Sequence, residues 1–224
     1  MTMPSILVAA PTYSGKGYAL DQYLAAYRAF DYAGDRALLL ADNTADGGEW
    51  AAEVASRLQP GEHVIRTVRD DASLLVTMMN AWEAIINVAL QANVPLIASI
   101  EQDVIVGPSA LTAMQSIIAA LDVTLVSHEV PIRWRQDVVA IDTMCCVLMT
   151  TDRVVKANAG VLDDPELRAM WGEGWGLESG VHYGGRKAYV GGLFSVEHLH
   201  SDDEGFPFPG IDQRMPVTEA VSHA

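Results

Sequence analysis

Glu101 and Asp103, one residue apart around Gln102, close the apolar run Pro95-Leu-Ile-Ala-Ser-Ile100. A run of that length, bounded by proline, reads as a buried strand. Acid groups at the carboxyl end of a buried strand lie where open α/β sheets place their ligand chemistry. Two carboxylates so spaced can hold a divalent cation that itself carries phosphates, as Mg2+ is typically bound. Taken alone the triplet also reads as an ordinary solvated strand end, ahead of the helix that Gly107-Pro108 opens.

The elements that must position these acids alternate along the chain. Residues 5–10, 36–41, 63–68, 95–100 and 123–127 read as strands. Between them, residues 18–30, 50–58, 73–91 and 109–121 read as helices, with Leu20, Tyr23, Leu24 and Tyr27 at helical spacing and Ser73 as an N-cap. Short connections and β-α alternation predict a mostly parallel central sheet covered by helices on both faces, a three-layer α/β/α fold. After residue 128 the rhythm changes. Residues 131–136 are irregular, 138–150 read as a strand running into a helix over 152–158, and 187–196 as a last strand closed by His198-Leu-His200.

A chain of 224 residues, half of them hydrophobic, can bury one sizeable core. No linker or repeat divides it, so residues 1–214 read as one domain, with a flexible tail over 215–224. The formal charge of −15 opposes nucleic-acid backbones in general. No apolar run is long enough for a membrane span or a signal peptide. The adjacent Cys145 and Cys146 read as buried small hydrophobes rather than a disulfide or zinc site, which fits a reducing, cytoplasmic setting. Gly15-Lys16-Gly17 lacks the first glycine and the following Ser/Thr of a phosphate loop, so Lys16 reads as a solvated turn lysine. His128 and His182 have no spacing partner and read as structural.

Five features in order resemble the nucleotide-sugar-dependent glycosyltransferases of the GT-A fold. They are the first strand and turn over residues 6–14, the acidic turn Asp42-Asn-Thr-Ala-Asp-Gly-Gly48, Met79-Asn80-Ala81, Glu101-Gln102-Asp103, and Gly174-Trp-Gly-Leu-Glu178 followed by His198 and His200. The second resembles the turn whose first Asp reads the nucleobase. The third is similar to a degenerate Arg-Asn-Ala-Gly helix start, the fourth to Asp-x-Asp, and the fifth to the Gly-Trp-Gly-x-Glu-Asp motif of galactosyltransferase-like members. Glu101 stands in place of the first Asp of the metal motif, and Ser179 where the family often has a catalytic Asp.

The resemblance implies a nucleotide-diphosphate-sugar donor held by a nucleotide-binding half to about residue 107, a hydroxyl acceptor taken by an acceptor half over about 108–214, Mn2+ or Mg2+, and inversion as the stereochemical class to be expected. Pro11, Thr12, Tyr13, Asp42, Asn80, Glu101, Gln102 and Trp175 would line the donor pocket. Asp103 would ligate the metal together with His198 or His200, which share a face if the strand stays extended. The metal would offset the charge of the departing diphosphate. Glu178 would be the general base that deprotonates the acceptor, with its glycine neighbours allowing close approach of the sugar. Trp171 or Trp175 can stack on a sugar face or pack in the core, and Asp42 can accept from a pyrimidine N–H or cap its own turn. A non-catalytic nucleotide-sugar-binding module and a nucleotidyltransferase are the competing readings. The acceptor, whether sugar, glycan or modified nucleic-acid base, is not written in the sequence. Residues 201–210, acidic and then Phe-Pro-Phe-Pro, read as a lid or as the start of the tail.

Overall fold

Strands with no polar face must be covered on both sides, and this one constraint organises the chain. A computed structural model describes residues 3–70, 74–132, 135–140, 143–163 and 185–199. In chain order the elements are β1 (Ile6–Thr12), a 3-10 turn (Ser14–Ala19), α1 (Leu20–Arg28), β2 (Arg36–Asp42), α2 (Glu49–Ala55), β3 (Glu62–Arg66), α3 (Leu74–Gln91), β4 (Leu96–Ile100), β5 (Val104–Val106) and α4 (Ala110–Leu121). Then follow β6 (Leu125–His128), β7 (Val130–Ile132), β8 (Arg135–Ala140), β9 (Cys146–Thr150), α5 (Thr151–Asp163), β10 (Lys187–Val190) and β11 (Val196–His198).

The central sheet has seven strands in the order β10-β6-β9-β4-β1-β2-β3. All pairings are parallel except those of β9, which runs against both β4 and β6. Alternate residues of each strand feed two separate cores. Ile6, Val8 and Ala10 of β1, with Leu38 and Leu40 of β2, pack under Leu20, Tyr23 and Leu24 of α1 and Leu111 and Met114 of α4. Leu7, Ala9, Leu39 and Ala41 face the opposite way, onto Met79, Trp82 and Ile85 of α3 and Val154 of α5. The three-layer α/β/α architecture expected from the alternation is therefore present, and among the described residues no helix is long and apolar enough to cross a membrane.

The second half departs from the expected elements in three places. Residues 138–150 are not one strand: β8 stops at Ala140 and β9 starts at Cys146, just after a local turn in which the Thr143 hydroxyl accepts from the Cys145 N–H at 3.2 Å. Of the stretch over 131–136, residues 131–132 and 135–136 lie in β7 and β8, which pair antiparallel with a register irregularity at Pro131/Ile132. Residues 187–196 are also split, because Gly192 takes φ +67° and breaks the ladder. β10 stays in the main sheet, whereas β11 pairs antiparallel with β5.

Candidate active site

The parallel strands β1, β2 and β4 end side by side, and the candidate residues gather at those ends. Thr12 and Asp42 are register partners at the last pair of β1 and β2. At the end of β4 the chain turns tightly, with the Val104 N–H donating to the Glu101 carbonyl at 2.9 Å. That turn aims Asp103 inward, and its side chain is fully buried. β11 then lies along β5 with His198 opposite Val104, and the Leu199 N–H donates to the Asp103 carbonyl at 2.8 Å. His198 Nε2 stands 3.6 Å from Asp103 Oδ2, while its Nδ1 lies 2.9 Å from the Pro131 carbonyl oxygen. The Tyr18 hydroxyl is 3.5 Å from the same Asp103 oxygen.

The principal correction concerns Lys16. It is not solvated: its side chain is only 11% exposed, and its ammonium lies 2.8 Å from both Glu101 Oε2 and Asp103 Oδ1. Burial alone would lower the Lys16 pKa, but the facing carboxylates reverse that and hold it well above the ordinary lysine value. The 3-10 turn that carries Lys16 is fixed from below. Gln102 is fully buried, donates from Nε2 to the Lys16 carbonyl at 2.9 Å, and accepts from the Thr12 hydroxyl. That hydroxyl in turn accepts from Trp50 Nε1 at 3.1 Å. Glu101 is the most open member of the cluster, with the Cys145 thiol 3.5 Å from its other oxygen.

Asp42 is also buried. Its Oδ1 accepts from the Thr44 N–H at 2.8 Å, closing an Asx-type turn, whereas its buried Oδ2 has no partner among the described residues. Tyr13 stands at the rim of the same strand end and is 38% exposed. Asn80 points elsewhere along α3, where its Nδ2 donates to the Val68 carbonyl at 3.0 Å. His128 packs flat on Phe194, with both ring nitrogens engaged by backbone groups. Cys146 is fully buried, which pushes its thiol up to about 12, and Cys145 is half-buried. Trp171, Trp175, Glu178, Ser179, His182, His200, Ser73 and the segment 201–210 lie outside the described residues.

The donor set can be tested against a divalent cation. Among the described residues no three His, Cys, Asp or Glu side chains converge on one point. The carboxylates that would hold the ion already share the Lys16 ammonium, so as they stand they do not fit a metal unless Lys16 leaves. The lysine was missed because a turn between glycines looks exposed. The signal available was topological: the end of β1 adjoins the end of β4, and two acids there need a cation.

The parallel sheet, its reversed strand and the acids at the strand ends define the GT-A fold. Solved structures agree. The chain is similar to a fragment of S. aureus TarS, a GT-A-type glycosyltransferase. The UDP-GlcNAc complex of that fragment superposes with a TM-score of 0.58 at 11% identity, covering 90% of this chain and 60% of that one. For the UDP complex the values are 0.56 and 11%, over 89% and 61%. The chain thus spans about 60% of the length of the TarS fragment. No protein-family profile and no curated protein matches it.

Proposed function

We propose that the chain transfers a sugar from a nucleoside-diphosphate sugar to an acceptor hydroxyl, with inversion. The observation that carries this reading is the orphaned Asp42 Oδ2, a buried acceptor that needs an N–H from outside the described chain. Uracil supplies such a donor at N3, and the neighbouring fold binds UDP and UDP-GlcNAc in TarS. The nucleoside would lie over the ends of β2 and β1, with Tyr13 available to stack on the base. The diphosphate would then point toward the β4 end.

In the transfer step the acceptor oxygen attacks the anomeric carbon from the face opposite the leaving group. The bond from that carbon to the β-phosphate oxygen breaks, and its electron pair leaves with the nucleoside diphosphate. The acceptor proton passes to a carboxylate, for which Glu178 is the proposed base. The metal expected at Asp103, His198 and His200 would neutralise the departing diphosphate, but the described residues do not fit it, and no part of this reading depends on it.

Calorimetric titration with UDP, CDP and GDP tests the assignment. UDP should bind at least about tenfold more tightly than CDP, whose N3 carries no hydrogen to give Asp42. Equal affinity for UDP and CDP, or no binding of either, overturns it.

A further inference from the structure

We infer that Lys16 is the resident cation of the donor site, doing with a tethered ammonium what a divalent ion does in comparable phosphate sites. The inference rests on the donor reading above and specifies what meets the diphosphate. Three observations carry it. First, position: β1 lies between β2 and β4, so a nucleotide reaching from Asp42 to the Asp103 end must cross the turn that bears Lys16. Second, valence: an ammonium has three N–H donors, and Glu101 and Asp103 take two, which leaves one without a partner among the described residues. Third, preorganisation: the Gln102 bond to the Lys16 carbonyl and the Thr12–Trp50 link below it fix the turn before any ligand arrives. The two acids hold the ammonium in place and reduce its freedom. It in turn halves the negative charge that an incoming diphosphate meets there.

The test uses the whole chain. In wild type, UDP affinity measured by calorimetry should be the same within about threefold in EDTA and in millimolar Mn2+. The free-Mn2+ electron paramagnetic resonance signal should not fall when protein is added. Lys16→Ala should lose about 10- to 100-fold in metal-free UDP affinity, as expected for one charged hydrogen bond. Its vacated carboxylates should now take up Mn2+ and restore UDP binding in a metal-dependent way. Circular dichroism confirms folding of the variant, and the wild-type titrations need no variant at all. UDP binding by wild type that requires Mn2+ overturns the role of Lys16 while leaving the donor reading intact. Absence of UDP binding in both conditions overturns the donor reading, and the inference with it.

Discussion

A buried carboxylate oxygen with no donor costs stability, and a ligand that brings the missing N–H recovers that cost. Asp42→Asn tests this at a single atom. The amide can keep the Thr44 N–H bond through its oxygen but presents N–H groups in place of Oδ2. UDP affinity should fall about 10- to 100-fold, while the melting temperature of the ligand-free protein should hold or rise; calorimetry and thermal denaturation report the two halves. Asp103 behaves differently. Its position at a strand end suggests a residue that can be removed without harm, yet it is fully buried and paired. Asp103→Ala strips Lys16 of one of two counter-charges, and should cost about 3 kcal/mol in urea unfolding besides any loss of binding. The two acids and Asp42 were legible in the sequence because apolar runs point directly at strand ends. Lys16 was not, because its partners are more than eighty residues away and only the strand order brings them together.

At the scale of elements, one hydroxyl ties three pieces of the site together. Thr12 on β1 takes the Trp50 indole N–H from α2 and donates to Gln102 in the turn after β4. Thr12→Val keeps the shape but leaves Trp50 Nε1 and Gln102 Oε1 buried without partners. A loss of about 2 kcal/mol is expected, read from chemical denaturation, together with weaker UDP binding because the Lys16 turn is no longer held. The first four β-α units and the strand after them were readable because β1, β2 and β4 are apolar on both faces and α1 shows helical spacing. Beyond residue 128 the same rules misplace boundaries. Local details, the Thr143 turn just before β9 and the left-handed Gly192 between β10 and β11, mark the boundaries there rather than any change in hydrophobic pattern. The direction of β9 was likewise hidden, since an apolar strand reads alike whether it runs parallel or antiparallel.

For the whole molecule, charge sets the response to solvent. At −15 the chain repels itself, so raising salt from about 0.02 to 0.2 M should lift the melting temperature by about 2–4 °C, the shift that roughly 1 kcal/mol makes in a domain of this size. A fall on adding salt would show that attractive pairs outweigh the repulsion. One such pair is Arg28 with Glu62, at 2.8 and 2.7 Å between α1 and β3. Burial alone would raise the Glu62 carboxyl, but the guanidinium and the Gln59 N–H hold it below its ordinary value of 4.5. A lowered carboxyl stabilises the fold above that ordinary value and loses its effect as pH falls through the folded one. Melting temperatures of wild type should therefore drop more steeply below about pH 4.5 than those of Arg28→Met, in which the pair is gone. The reversal of β9 acts on a longer timescale. β6 ends and β9 begins at the same rim of the sheet, so residues 129–145, with their β7–β8 hairpin, leave from and return to the edge that carries Glu101. Such an excursion can lengthen, shorten or be exchanged without any strand having to be rethreaded. Variation there would change what this rim faces while the pairing of β1, β2 and β4 stays as it is, provided that Pro131 and Cys145, which reach His198 and Glu101, are kept.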